Sequence, residues 1–312
     1  MARKSKKSRD YWRDREIEHA KSSLKDENKI KREMAALYRD TGREIEKEVN
    51  TMLSNYADKN GLTMADVKNE VNATDIRDYE SKAKRYVKEK NFSKKANKEM
   101  ARYNLKMKIS RLELIMSHVD LELIALTDGV DGLIYDRVLQ VGVEEVARQA
   151  GILGESINVN KKDIEYIAKR QFHGDDFSNR LWKNKRLLHS ELEKRLTEQA
   201  TKGQNPRDAA RKLRQEVEQS VYNSERIMIT ESARVQSESQ LESFKQAGFE
   251  EYEFITTEGA CDICLPMDGE IFKVKDGMPG RNMSPMHPFC KCSNAAHMSR
   301  EAWDADLKAR GL

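Results

Sequence analysis

The sequence predicts a mainly α protein of long helices and helical hairpins, with a small C-terminal α+β unit stapled by zinc. Charged residues make up 35% of the 312-residue chain and hydrophobic residues 38%, which suits long solvated helices around a thin core. With 15 glycines and 5 prolines, the chain has too few turn residues for an all-β fold. All four cysteines lie within residues 261–292, together with four of the five prolines.

Residues 1–104 are predicted to form a basic region of long helices. From residue 15 to about residue 57, apolar residues recur mostly at three- and four-residue steps, in the narrow stripe of a helix that packs on one side. The first fifteen residues carry seven Lys or Arg against two Asp, and residues 81–110 carry eleven against two Glu. Local basic blocks of this kind attract polyanions.

Residues 105–250 are predicted to form a helical body. Its most apolar stretch is 105–126, and we expect TDGVDG, residues 127–132, to break this helix before another runs to Gly151. The clearest helix start is at Asn205 and Pro206, because Asn is a favoured N-cap and Pro suits the first helical position. The following helix is expected to end at Gly248.

Residues 251–297 are predicted to form a zinc-binding β unit, and residues 298–312 a helical tail. Two short runs, EYEFITT at 251–257 and EIFKV at 270–274, are rich in aromatic and branched residues and are typical of strands. The chain shows no secretory signal and no apolar run long enough to span a bilayer, so we expect folding in a cytosol without a membrane partner.

The cysteine-rich segment has the residue spacing of a metal site. Cys261 and Cys264 form a CxxC pair, and this spacing lets both sulfurs face one ion. His287, Cys290 and Cys292 follow after a gap of 22 residues. In a cytosol, clustered cysteines are more often metal ligands than disulfides. We expect a structural zinc bound by the four cysteines, with His287 as an alternative fourth ligand or as a donor to a sulfur. The alternative is four free thiols in a loop.

A catalytic zinc is not expected in this segment. Such a site keeps one coordination position for water and usually has His and carboxylate ligands, whereas this set is rich in thiolates. The sequence also lacks the H-E-x-x-H motif of metalloproteases and the P-C-x-x-C element of zinc deaminases. We therefore expect no catalytic residue, no enzyme activity and no small-molecule substrate.

The second basic block contains six candidate contacts to the phosphates of double-stranded DNA. Lysine binds phosphate as a point charge and does not read sequence, so binding is expected to be non-specific. The alternative is a solvated helix face. The six candidates are Lys84, Arg85, Lys88, Lys94, Lys95 and Lys98.

Four segments are informative in combination: FHGDDFSNRLWKN at 172–184, RIMITESARVQSES at 226–239, AGFEEYEFITTEGACDICLPMDG at 247–269, and HPFCKC at 287–292. Together they resemble the phage head morphogenesis family of tailed bacteriophages, also called minor head or minor capsid proteins. The resemblance covers about residues 170–292. Its most specific part is C-x-x-C-x-x-x-D-G followed by H-P-x-C-x-C.

The resemblance implies a structural virion protein, present in few copies inside the capsid near the portal. It implies contacts with the portal protein, scaffold or major capsid protein, and passage with the DNA during ejection. During assembly the protein would be in the host cytoplasm. Where the family often has an Asp-x-Arg triplet before the first cysteine, this chain has residues 258–260, Glu-Gly-Ala, so no role for an arginine there is implied.

The family motif also places a polar set on one helix face: Arg226, Thr230, Glu231 and Arg234. The set is predicted to dock this helix on the zinc unit, and the alternative is a solvated ion-pair face. Two other functions remain possible from the sequence. One is a zinc-dependent nuclease or hydrolase acting on phage DNA, and the other is a stand-alone, non-specific DNA-binding zinc protein.

Overall fold

Long helices make up most of the described chain, and the structure is a computed structural model. It describes residues 2–60, 73–90, 92–101, 111–153, 157–202, 205–257 and 259–298. Within these ranges only the backbone is described at residues 2–13, 55–60, 73–76, 87, 89–90, 98–101 and 200–201. The predicted helical tail lies outside the described residues from position 299 onward.

Within the described residues there are eight α-helices. In chain order they are α1 (Ala2–Asn60), α2 (Ala73–Lys90), α3 (Lys94–Ala101), α4 (Arg111–Leu153), α5 (Lys161–Lys169), α6 (Phe177–Thr201), α7 (Pro206–Gln219) and α8 (Val221–Gln246). The predicted start at Asn205 and Pro206 is confirmed, because the Asn205 side chain accepts a hydrogen bond from the Arg207 backbone nitrogen at 2.9 Å. After α8 the chain turns at Gly248, whose φ is +78°.

The predicted break at TDGVDG is wrong, since α4 runs through residues 127–132 without interruption. Each interior glycine costs a helix only about 1 kcal/mol relative to alanine. Around the two glycines, Leu126, Val130 and Ile134 recur at four-residue steps and are buried. Burying each of these side chains contributes about 1.5–3 kcal/mol, so packing outweighs the local preference for a turn.

The chain divides into two compact units, each made of separate stretches of sequence. We call Met1–Ile30, Ile134–Phe177 and Arg226–Leu312 the sheet unit, and Lys31–Leu133 with Ser178–Glu225 the helical unit. The four-part division predicted from the sequence, with boundaries at residues 104, 250 and 297, stays a prediction.

The sheet unit contains a three-stranded antiparallel sheet. Its strands are β1 (Glu251–Ile255), β2 (Ile271–Lys273) and β3 (Ser293–His297), in the order β2-β1-β3. Strands β1 and β2 confirm the two predicted β-like runs. Leu241 and Phe244 of α8 form a core cluster with Tyr252, Val274 and Met283, so the sheet region packs directly on α8.

Strand β3 was not predicted, because SNAAH lacks the alternation of apolar and polar residues that indicates a strand. Its polar residues are nevertheless buried. The side-chain nitrogen of Asn294 donates to Ser237 Oγ and to Gln240 Oε1, both at 3.1 Å. These bonds to α8 satisfy the buried side-chain amide nitrogen of Asn294. From the sequence alone, Asn294 could equally well be an exposed loop residue.

The helical unit has a core in which α2 and α3 pack against α4. Tyr79, Tyr86 and Phe92 contact a cluster that also includes Leu121 and Trp182. Polar groups are buried here as well, and the Lys82 ammonium is paired with Glu48 and with Glu122, the latter at 2.9 Å. Part of the second basic block therefore serves the fold rather than the surface.

We expect Gly142→Ala to destabilise the protein by about 1–3 kcal/mol, because it overpacks a tight contact. A Cβ at this position would lie 2.5 Å from Cγ2 of Ile164 and 3.1 Å from Cγ1 of Val235. The matched control is Gly132→Ala in the same helix, where a Cβ would have no neighbour within 4 Å. The control should stabilise by up to about 1 kcal/mol through helix propensity. Urea unfolding measures both, and shifts of the same sign would contradict the assignment.

Candidate metal centre

The first cysteine pair lies in a tight turn that follows β1. The backbone nitrogens of Cys264 and Leu265 both donate to the carbonyl of Cys261, at 3.0 and 2.8 Å. A 3₁₀ turn over Leu265–Met267 follows. Asp268 Oδ1 then accepts from the backbone and hydroxyl of Thr256, at 3.0 and 2.8 Å. These bonds fix the CxxC turn to the end of β1 and aim both sulfurs the same way.

A second turn carries His287 and Cys290, and is closed by a bond from the Cys290 nitrogen to the His287 carbonyl at 3.1 Å. Phe289 within this turn has a φ of +62°, a left-handed conformation that non-glycine residues rarely adopt. Ser284 Oγ donates to the Cys292 carbonyl at 2.6 Å. The turn therefore presents its histidine and cysteines from a backbone held by several hydrogen bonds.

The two turns bring all five predicted ligands together. Cys261, Cys264 and His287 form one group whose ligand atoms lie within 4.8 Å of one another, and Cys264, Cys290 and Cys292 form another. Cys264 belongs to both groups and is only 1% exposed. Its sulfur lies 3.7 Å from that of Cys290, and the Cys261 sulfur lies 3.1 Å from His287 Nε2. Which four of the five bind an ion stays a prediction.

One pair of sulfurs has the separation expected of two ligands of a tetrahedral metal ion. Two sulfurs bound to one zinc at about 2.3 Å lie about 3.8 Å apart, close to the separation between Cys264 and Cys290. His287 Nδ1 lies 2.8 Å from the carbonyl of Pro288, to which a protonated Nδ1 can donate. That bond favours the tautomer in which Nε2 keeps its lone pair, the usual arrangement of a metal-bound histidine. The cluster can therefore hold a metal ion.

The electrostatics of the thiols also fit a cation. The hydrogen bond from Cys292, opposed by burial, lowers the pKa of Cys290 to about 5. Burial raises the pKa of Cys264 to about 12, and the neighbouring Cys290 together with burial raises the pKa of Cys292. Neighbouring sulfurs resist ionising together because like charges repel. A divalent ion would supply the charge that lets all of them become thiolates.

The predicted polar set on α8 divides between two places. Thr230 contacts the cysteine-rich segment, since its Oγ1 accepts from the Phe289 nitrogen at 3.3 Å and donates to the Arg226 carbonyl at 2.7 Å. Arg234 is fully buried and pairs with Glu231 and Glu238. It also donates to the carbonyls of Ile167 and Ala168, at 3.0 and 3.2 Å. Thr230 thus faces the cysteine-rich segment, while Arg234 holds the end of α5.

Helix α1 also contacts the residues on either side of Cys292, which the sequence did not suggest. Ser293 Oγ donates to Glu16 Oε2 at 2.6 Å, and Arg148 holds both oxygens of the same carboxylate, at 2.7 and 3.1 Å. Lys291 pairs with Glu27 at 3.2 Å. No local motif marks these residues, because their meaning depends on contacts between distant parts of the chain.

The candidate DNA contacts are not equivalent in the structure. The side chains of Lys84, Arg85, Lys88 and Lys94 are exposed. Lys95 instead donates to Ser178 Oγ and Asn179 Oδ1, at 3.1 and 2.9 Å, and lies over the ring of Trp182. The side chain of Lys98 lies outside the described residues. Lys95 is therefore less available to a polyanion than the four exposed cations.

Among the described helices, none has the length and apolar content needed to cross a membrane. Residues 190–295 match the family model described as phage Mu protein F like protein, which is about a third of the chain. A search of curated proteins found no match, and neither did a search of solved structures. The matched region contains α8, β1, β2, the first part of β3 and all five candidate ligands. The predicted resemblance to phage head morphogenesis proteins is therefore confirmed over residues 190–295, where this chain is similar to phage Mu protein F.

Proposed function

We propose that this protein is a structural minor head protein of a tailed bacteriophage, acting in head morphogenesis near the portal and without enzymatic activity. The observation that carries the proposal is the family match over residues 190–295, which contains the complete cysteine and histidine cluster. The partners we propose are the portal protein, scaffold or major capsid protein. The proposed location is the capsid interior, with the host cytoplasm during assembly.

We propose a zinc ion in the cluster, with a structural role. A donor set of sulfurs and one imidazole nitrogen favours zinc over the oxygen-preferring magnesium and calcium. The cysteine-rich segment leaves several large apolar side chains exposed, namely Ile263, Leu265, Ile271 and Met278. Metal binding would therefore supply folding free energy that a small core cannot.

Quantitative mass spectrometry of purified phage particles tests the proposed function. We expect the protein in particles at a low copy number relative to the major capsid protein, with fewer copies left after DNA ejection. Its absence from particles would favour a stand-alone DNA-binding protein. Incubation of the purified protein with duplex DNA and zinc serves as the enzymatic control, because strand cleavage would favour the nuclease alternative.

We also propose that the protein contacts packaged DNA through the exposed cations of its basic helices. Neutralising Lys84, Arg85, Lys88 and Lys94 to Gln should weaken duplex binding and flatten its salt dependence. Each phosphate contact adds about 0.9 to the slope of log K against log salt concentration, so four lost contacts should flatten it by about 3–4 units. A salt titration of duplex binding measures both forms, which should bind different sequences equally well.

The control neutralises four exposed cations elsewhere, Lys161, Lys162, Arg207 and Arg211, and so changes net charge equally. We expect the control to keep the salt slope of the parent protein. Equal flattening of the salt slope in both variants would mean that duplex binding depends on net charge alone. An unchanged slope in the first variant would mean that Lys84, Arg85, Lys88 and Lys94 do not contact DNA.

A further inference from the structure

A cavity beside the cysteine cluster is lined by a buried arginine that forms no ion pair with any of the described residues. The cavity has a volume of about 90 Å³ and is lined by α1, α4, α8 and the segment from Cys290 to Ser293. All of the lining residues belong to the sheet unit. One buried water needs only about 10–15 Å³ of such space, so the cavity has room for a small polyatomic ion.

The arginine is Arg137 of α4, which is 5% exposed. Its Nη1 has no hydrogen-bond partner among the described residues, and Arg137 takes part in none of the ion pairs found there. Buried charges in proteins are normally paired, because an isolated buried charge costs several kcal/mol. An unpaired guanidinium of this kind points to a partner outside the fold.

The acidic groups around the cavity already have partners of their own. Arg148 holds Glu16, Lys291 holds Glu27, and Gln140 donates to Glu144 at 2.7 Å. The buried hydroxyl of Ser232, which also lines the cavity, has no hydrogen-bond partner among the described residues. Among the buried side-chain nitrogens and oxygens of the lining, those without a partner in the described residues are this arginine nitrogen and this hydroxyl, and both can donate.

We propose that this cavity binds a small oxyanion, a carboxylate or phosphate group, held by Arg137 and Ser232. Guanidinium donors match the oxygens of carboxylate and phosphate, and charge-assisted hydrogen bonds of this type are about twice as strong as neutral ones. Water can occupy the same space but brings no charge to balance the guanidinium. The oxyanion comes either free from solution or as a carboxylate carried by a protein partner.

Isothermal titration calorimetry of the full-length protein with inorganic phosphate, and separately with acetate, tests this site at constant ionic strength. We expect saturable binding that is about ten- to a hundred-fold weaker in Arg137→Met, the range set by hydrogen bonds to a charged group. Arg207→Met, an exposed arginine, is the control and should bind as the parent does. Binding of phosphate alone indicates a free ion, and binding of acetate indicates a carboxylate source.

Two outcomes would overturn the proposal in this experiment. Failure of both anions to bind would mean that the cavity holds water only, and equal binding by Arg137→Met would place the anion elsewhere. Stability in anion-free buffer provides a second test, because removing a charge that lacks a counterion should not weaken the fold. A large loss of stability in Arg137→Met would show that Arg137 has a partner within the protein, which also overturns the site.

Discussion

Replacing Cys264 with serine is expected to release the metal and unfold the segment around residues 256–297. Cys264 is buried and is the one residue shared by both ligand groups of the described cluster. A structural zinc in a small unit contributes on the order of 10 kcal/mol to folding at neutral pH, far more than the exposed apolar residues of this segment can replace. The same substitution at Cys261 should have the same effect.

Three measurements check this expectation. Elemental analysis of protein purified without added metal should show near-stoichiometric zinc in the parent and none in Cys264→Ser. Limited proteolysis should cut the variant within residues 256–297 while the helical unit resists. Asp262→Ser, an exposed change within the same turn, is the control and should keep the metal. A parent protein with four freely reactive thiols and no metal would refute the zinc assignment.

Replacing Arg234 with methionine should destabilise the protein by about 3–5 kcal/mol, because it removes the cation paired with the buried Glu231 carboxylate. Arg234 and Glu231 are both almost fully buried, and the Arg234 Nε donates to Glu231 Oε2 at 2.6 Å. The variant also frees the carbonyls of Ile167 and Ala168 at the end of α5. Urea unfolding monitored by helical circular dichroism gives the change in free energy.

Two further variants separate this mechanism from simple loss of a cation. Arg211→Met removes an exposed partner of Asp208 and should cost less than about 1 kcal/mol, as surface ion pairs do. Combining Arg234→Met with Glu231→Leu should recover part of the loss, since no uncompensated charge remains at that pair. A double variant as unstable as the sum of its parts would argue that the carbonyl contacts, rather than the ion pair, dominate.

The helix start at residue 205 and the clustering of the candidate ligands were predictable because local residue patterns determine them. Asn205 and Pro206 mark a helix start by their own chemistry, and the cysteine spacing brings ligands to one place through two short turns. The continuity of α4 could not be predicted locally, because it depends on the burial of Val130 and Ile134 by residues distant in sequence. Strand β3 was not predicted for the same reason, because Asn294 is buried in the core only through its hydrogen bonds to α8.

The candidate site shows the same limit of sequence reasoning. The five potential ligands were visible as a spacing, whereas the contacts of Thr230 with Phe289 and of Glu16 with Ser293 have no sequence signature. The sequence likewise gives no sign that Arg137 is buried. The number of cations in the block does not show that Lys95 is hydrogen-bonded within the fold while its neighbours are exposed.

The bond between Glu16 and Ser293 joins residues 277 positions apart, and this separation affects how the protein can be made. At about 5–20 residues per second, a ribosome needs roughly 14–55 s to travel from one partner to the other. During that time the Glu16 carboxylate lacks its bond to β3, and it also lacks Arg148 until the ribosome has added the 132 residues that separate the two. The sheet unit must therefore assemble after nearly all of its chain has been synthesised, and newly made copies pass through a period of exposure in which chaperones can bind them.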